Sequence, residues 1–193
     1  MRILVLYCHP NPESYGAALH LAVIKSLTAA GHVVDDCDLY GEGFDPVLSR
    51  ADRLGYHDLA ANTRPVQAHV DRLKAAEAIV LVFPVWNFGF PAMLKGYFDR
   101  VFLPGISFGL VDGRTQGMLS NIRRIGVVTT YGASWTKATL LGNPPRKFCT
   151  RSLRAVTAFK ASVTYLAHYD MNRSTPATRQ AFLKRVQIVF SRW

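Results

Sequence analysis

Three short stretches of this chain hold residues whose types and spacing could do chemistry together. HPNPESYG (9–16) places His9, Ser14, Tyr15 and Gly16 just ahead of a helical pattern. The start of a helix leaves backbone N–H groups without partners, so such a loop can hold an anion, helped by the Ser14 hydroxyl. Ser14 has an ordinary use as well, as a helix cap. PVWNFGFP (84–91) runs through Pro84, Val85, Trp86, Asn87 and Phe88 to a second proline. Aromatic faces give a planar ring apolar contact, and the amides between them can hydrogen-bond its edge. A loop that only packs on its neighbours would use the same residues. TTYGAS (129–134) offers Thr129, Thr130, Tyr131 and Gly132, with Trp135 one position beyond it. Small and hydroxyl-bearing residues there let backbone approach a ligand, or make an ordinary turn. Taken together, the three describe a site for a molecule with a phosphate at one end and a flat heteroaromatic ring at the other. A flavin fits that description. Neither G-x-x-x-x-G-K-[ST] nor G-x-G-x-x-G is present, so neither a P-loop nor the dinucleotide fingerprint carries the binding.

The elements that must position these loops are legible as periodic runs. RILVLYC (2–8), HVVDDCDLY (32–40), AIVLVF (78–83), RRIGVVTT (123–130) and KASVTYLAHYD (160–170) predict strands, the first and third apolar without alternation, as in a sheet covered on both faces. Leu19, Val23 and Leu27 recur at helical spacing up to Gly31, and VQAHVDRLKAAE, PAMLKGYFDRVF and KFCTRSLRAVTAF predict further helices. Ser174 or Thr175, with Pro176, caps a last one. Strand and helix alternate throughout. The pattern predicts one α/β domain over 1–193, with a five-stranded parallel sheet in flavodoxin-like order and helices on both faces. In that order the loops after strands one, three and four open on one edge. Residues 41–66 and 104–121 are longer than connections need to be, and are expected to carry function or contacts. Phe108 in the second is the candidate for closing over a substrate.

Composition bounds the rest. No apolar run approaches the ~20 residues of a membrane span, and Ile3–Cys8 is too short for a signal peptide, so a soluble, cytoplasmic protein is expected. Cys8, Cys37 and Cys149 have no metal-ligand spacing and predict free thiols and no metal site. The net charge of +10 is uneven: residues 143–193 hold ten basic residues against Asp170 alone. Such a block suits a phosphorylated cofactor, an acidic partner or simply water. No nucleic-acid motif accompanies it, and no nucleic-acid partner is expected.

YCHPNPESYG, FPVWNFGFPAMLKGYFDRVF and TTYGAS, in this order, together with DLYGEGFDPVLSR (38–50), resemble the NAD(P)H:quinone oxidoreductase family of flavodoxin-like enzymes. The resemblance implies a homodimer that binds FAD, with FMN as the alternative. It implies NAD(P)H as donor and a quinone-like acceptor, taking turns over one ring face. His9, Ser14, Tyr15 and Gly16 would then hold the phosphate and ribityl end. Pro84, Val85, Trp86, Asn87 and Phe88 would line one side of the ring, and Thr129, Thr130, Tyr131 and Gly132 the other. Phe108 and Trp135 are the expected acceptor contacts, and Arg179 is expected to meet a diphosphate or adenine. Two departures stand out. Tyr131 occupies the first glycine of the family's Thr-Thr-Gly-Gly turn, and no His occurs between 70 and 167 to relay a proton, so Tyr131, water or a partner-chain residue must supply it. Asn87 stands where the family often has Trp. Some relatives are ancillary subunits of glutathione-gated potassium efflux systems, which gives a regulatory role as the alternative, with the basic block as a docking face.

Overall fold

In the computed structural model, which describes residues 1–193, the apolar runs become the inner strands of a parallel sheet. The strands are β1 (Arg2–Tyr7), β2 (Val33–Asp38), β3 (Ala78–Val85), β4 (Phe108–Val111), β5 (Arg114–Gly117), β6 (Arg124–Tyr131) and β7 (Ser162–His168). The helices are α1 (Tyr15–Ala29), α2 (Arg50–Leu54), α3 (Gln67–Ala75), α4 (Ala92–Val101), α5 (Trp135–Leu140), α6 (Pro144–Lys147), α7 (Leu153–Val156) and α8 (Pro176–Phe190). Five strands form the sheet in the order β2-β1-β3-β6-β7, all parallel. This is the expected flavodoxin-like order.

Alternation along the strands divides the core in two. Ile3, Val5, Val80, Val82 and Val128 pack under α1 and α8 through Leu19, Val23, Leu27, Phe182, Val186 and Phe190. Leu4, Leu6, Ile79, Leu81 and Val127 pack on the other face against α3 and α4, through Val70, Leu73, Leu94, Tyr97 and Val101. With both faces covered, a strand has no polar side to show, which is why the inner ones read as unbroken apolar runs.

Pro84 sits inside β3 without loss. Val82 turns its carbonyl toward β1 to accept from Cys8 N at 3.0 Å, and Pro84, two residues on, faces the same side after β1 has ended. Its missing N–H therefore breaks no ladder bond.

The LKG.FDRVF portion of the sequence signature is used for packing. A Cβ at Gly96 would collide with the backbone of Pro46, so the loop after β2 lies directly on α4. Arg100 fastens the same loop, donating to Asp45 O and pairing with Asp45 at 3.3 Å and Asp52 at 3.4 Å. Ser49 and Asp52 close a capping box at the start of α2.

Two stretches differ from expectation. The 104–121 excursion contains the antiparallel β4–β5 hairpin, turning at Asp112 and Gly113 with φ of 51° and 74°, the signature of a D-G type I′ turn. The helix expected over 147–159 is broken into α6, a π turn at Phe148–Ser152 and α7. It ends with left-handed backbone at Ala158 and Phe159, which no helix can continue.

Gly96→Ala is expected to destabilise the fold by about 2–3 kcal/mol, because backbone rather than a yielding side chain stands in the way. Urea unfolding followed by tryptophan fluorescence measures it. A change under ~0.5 kcal/mol would show that the 45–46 loop moves off α4 without penalty.

Candidate functional site

The first loop is built by its own side chains. Asn11 N donates to His9 Nδ1 at 3.0 Å and Glu13 N to Asn11 Oδ1 at 2.8 Å, which fixes the approach to α1. The imidazole proton therefore sits on Nε2. Ser14 caps the helix, accepting from Ala17 N at 3.1 Å, so its own O–H remains free to donate. Tyr15 N and Gly16 N occupy the first two helical positions, where no carbonyl of the helix can reach them. The Tyr15 hydroxyl looks elsewhere, donating to Arg179 O at 2.7 Å.

The second loop is a tight reversal. Trp86 N donates to Gly89 O at 3.2 Å and Gly89 N to Trp86 O at 2.8 Å. The two central residues, Asn87 and Phe88, have φ of 49° and 58°. Both positions of a type I′ turn demand left-handed backbone, which Asn tolerates and Phe resists by ~1–2 kcal/mol. Strain of this kind persists where a ligand site needs the geometry. Trp86 is 41% exposed and meets His9 edge-on at 5.9 Å between ring centres, joining the first loop to the second. Phe90 instead belongs to the core, packed on Phe83, Phe98 and Phe148.

Val85, Asn87 and Phe88 then share a cleft of about 440 Å³ with Tyr131, Gly132, Ala133 and Ser134 of the third loop. The remaining walls are Lys137, Asp170, Asn172 and Arg173. The last three follow β7, a strand end that the motifs did not single out. Two buried polar atoms at these strand ends have no protein partner: Thr129 Oγ1 and His168 Nδ1. His168 lies opposite Thr130 in the sheet, its ring edge-on to Tyr15 and Phe182.

Tyr131 is placed differently from its expected role as a proton source. Its side chain is 1% exposed and points below the strand end, donating to Asn143 Oδ1 at 2.6 Å and pairing with the Tyr165 hydroxyl at 2.7 Å. Its ring stacks on Tyr169 at 4.6 Å. Burial pushes its hydroxyl up to about 12, so it holds its proton at neutral pH. Phe108 does not reach the cleft within one chain; it lines an apolar recess with His57, Leu59, Leu110 and Met118. Trp135 begins α5 on the open surface and Pro84 is buried in the sheet, and neither lines the cleft. Arg179 turns its guanidinium to Ser174, with Nη1 2.9 Å from Oγ.

A family model described as Flavodoxin-like fold, Flavodoxin_2, matches residues 1–187. The chain belongs to that family. Over 122 residues it is 34% identical to an uncharacterized NAD(P)H oxidoreductase of Haemophilus influenzae, covering 63% of this chain and 60% of that protein. It is 29% identical to the NAD(P)H dehydrogenase [quinone] 1 of Rattus norvegicus, covering 68% of this chain and 54% of that one. The chain thus spans little more than half the length of these relatives. Among solved structures, Smu.1420 from Streptococcus mutans superposes with a TM-score of 0.90 at 26% identity, each chain covered completely. An NAD(P)H:quinone oxidoreductase from Methanothermobacter marburgensis superposes at 0.85 with 22% identity, over 99% of this chain and 98% of that one, a likeness of fold.

Alkaline pH should loosen this protein in a defined window. Burial pushes the thiols of Cys8 and Cys37 up from 9.0 and the hydroxyls of Tyr15 and Tyr131 up from 10.0, all to about 12. Each group is raised in the folded state, so its contribution is complete below the unfolded value and is lost as pH rises through the folded one. The urea midpoint is expected to hold to about pH 9 and to fall steadily from there to about 12. A midpoint at about pH 11 equal to that at neutrality would show that these groups ionise without opening the core.

Proposed function

We propose that the chain is a flavin-dependent NAD(P)H:quinone oxidoreductase that works as a homodimer. The observation that carries this is the convergence of the strained 86–89 turn and the 131–134 loop on one cleft, joined through Trp86 and His9 to the free N–H groups of α1. The residues present suit a flavin. Tyr15 N, Gly16 N, the Ser14 hydroxyl and His9 Nε2 are donors for its phosphate end. Val85, Asn87 and Phe88 offer an apolar wall with amides, and the 131–134 loop offers polar contacts on the other side; Thr129 and Thr130 lie behind this loop and do not line the cleft. When bound, the flavin supplies the hydride chemistry between NAD(P)H and a quinone-like acceptor. The protein supplies donors fixed in advance where negative charge accumulates. Tyr131 acts as a positioning residue, holding Asn143 and Tyr165 beneath the loop, and the acceptor's proton comes from water or the partner chain.

We take FAD as the form, with FMN as the alternative. Tyr15 donates to the Arg179 carbonyl, which sets the first turn of α8 beside the first loop. The Arg179 guanidinium would have to leave Ser174 to meet a diphosphate. A second copy of the chain is supported by the two long excursions. His57 and Leu59 of one meet Pro104, Phe108 and Met118 of the other around an apolar recess of about 540 Å³, beside a 77% exposed Leu110. Sedimentation at micromolar concentration should give a dimer.

Purified protein is expected to be yellow with one flavin per chain, and chromatography of the heat-released pigment identifies it. FMN in place of FAD would remove the diphosphate role from Arg179, and colourless protein that takes up neither would defeat the proposal. Phe88→Gly separates site from scaffold. Relief of left-handed strain should offset the loss of a half-buried ring, so stability should change by less than ~1 kcal/mol, against ~3–5 for a core phenylalanine. Flavin should nevertheless bind at least ~10-fold more weakly, which equals ~1.4 kcal/mol. Unchanged affinity would assign the turn to the scaffold alone.

The kinetics give a second test. If donor and acceptor use the same face of the cleft they cannot be bound together, so initial-rate plots against both should be parallel. NAD(P)H should bleach the protein before any quinone is added. Intersecting plots would require separate sites for the two substrates.

A further inference from the structure

Away from the cleft, β2, the turn after it and α3 enclose a side-chain cluster that the proposed oxidoreductase chemistry does not use. Cys37, the next-to-last residue of β2, is completely buried. Its Sγ stands 3.6 Å from Glu42 Oε2 and 3.9 Å from His69 Nδ1, and the three atoms lie within 4.8 Å of one another. A tetrahedral ion with bonds of roughly 2.3 Å to sulfur and 2.0–2.1 Å to nitrogen and oxygen sets its ligands about 3.5 Å apart. The two distances from Cys37 Sγ already stand close to that spacing, and a bound ion would draw the Glu42 and His69 atoms in from at most 4.8 Å.

Two observations independent of this spacing concern the same place. The Tyr97 side chain is fully buried, meets His69 edge-on at 5.6 Å, and its hydroxyl has no hydrogen-bond partner. Its ring lies against that of His69, one of the three ligands, so the unpaired hydroxyl belongs to the same buried region. An unpaired buried hydroxyl is costly, and a metal-bound water would satisfy it. The second observation is Arg72. Its Nη1 holds both Glu42 oxygens at 2.9 and 2.8 Å, its Nε reaches Asp35 at 3.0 Å and its Nη2 reaches Asp36 O at 2.7 Å. A carboxylate oriented in this way is what a metal ligand needs from its surroundings. The guanidinium does not repel the ion on balance. With a thiolate at Cys37, the negative charges of Cys37, Glu42 and Asp35 outnumber the guanidinium charges of Arg72 and Arg2, so a divalent cation meets a net negative site.

We propose that Cys37, Glu42 and His69 form a binding site for one zinc-class divalent cation, which pins the turn after β2 to α3. Sulfur and imidazole select a borderline-soft ion over magnesium or calcium, which take oxygen ligands. His69 offers Nδ1 to the ion, 3.9 Å from the Cys37 sulfur, with the ring proton carried on Nε2 in the metal-bound form. The thiol is protonated in the absence of metal, so binding exchanges the Sγ–H proton for an Sγ–metal bond and releases that proton to solvent. The site is independent of the oxidoreductase proposal, and its test does not read activity.

The test uses tag-free full-length protein, dialysed against a chelator and titrated with Co²⁺, then with Zn²⁺, read as difference spectra against the metal-free protein. One Co²⁺ per chain is expected, with a thiolate-to-cobalt charge-transfer band in the near ultraviolet that Zn²⁺ erases. Cys37→Ala should abolish the band, while Cys8→Ala, which removes a thiol without these neighbours, should retain it. Glu42→Gln keeps the contact with Arg72 at an exposed position and should weaken binding by ~10-fold or more. Absence of the band in the parent protein at excess Co²⁺ overturns the site, and so does the same band in Cys37→Ala. If Cys37→Ala does not fold, Glu42→Gln decides, and unchanged affinity there overturns the site as well.

Discussion

Everything at the working edge depends on β3 and β6 outrunning β1. The β1–β3 ladder closes at Tyr7 and Val82, whereas β3 and β6 stay paired through Val85 and Tyr131. The sheet therefore ends in a step at the point where strand order reverses. That is where open α/β sheets admit ligands, because the loops on either side run in opposite directions. The step also decides where polar atoms can be afforded. Both faces of the sheet are covered, and three of the buried side-chain atoms without partners, on Tyr7, Thr129 and His168, lie at the carboxyl ends of their strands.

The step places a demand on the chain leaving β3. It must reverse within four residues and reach the core again at Phe90, which fits against Phe83 and Phe98. A type I′ turn is the short solution, and it forces Phe88 into left-handed backbone. Glycine would relieve the strain but would remove the ring from the cleft wall. The scaffold around the turn is correspondingly rigid. α4 begins immediately after it, and the Gly96–Pro46 contact and the Arg100 ion pairs hold α4 to the loop after β2. The motif PVWNFGFPAMLKGYFDRVF thus joins a ligand-facing turn to the packing that keeps it strained.

Much of this was legible because it rests on local pattern. Apolar runs mark doubly covered strands, Pro91 and Ser14 mark helix starts, and three loops of matching chemistry follow strands one, three and four. What was illegible depends on side-chain direction or on distant pairs. Tyr131 was expected at the ligand, yet it shares the parity of Ile125 and Val127, which face α4, so its ring goes beneath the strand end. Strand alternation alone could have signalled this. The β4–β5 hairpin was hidden by its length of four residues per strand and its polar second strand. Cys37, Glu42 and His69 match no ligand spacing, and only the packing of α3 beside β2 brings them together. Asp170, Asn172 and Arg173 follow a strand whose end carries no motif.

The uneven charge has a physical resolution in the way its guanidinium groups are used. Six of the seven pairs between Lys or Arg and a carboxylate lie within residues 2–100, where acids are plentiful, and only Arg173–Asp170 lies in the basic third. There, arginines find partners that need no carboxylate. Arg146 lies over the Tyr165 ring at 5.1 Å, Arg154 donates to Ala161 O at 2.9 Å and lies over Phe159, and Arg179 holds Ser174. Lysine could not do the same, since it lacks the planar face and the fixed fork of donors. Arg146 and Arg154 cover aromatic faces, Arg146 thereby holding the broken 144–156 segment to β7, and Arg179 fastens the turn before α8 to that helix. The basic block is therefore first a consequence of how an acid-poor segment secures its loops. Of the cations, Lys137 and Arg173 line the cleft itself, and Arg173 is paired there with Asp170 at 3.3 Å.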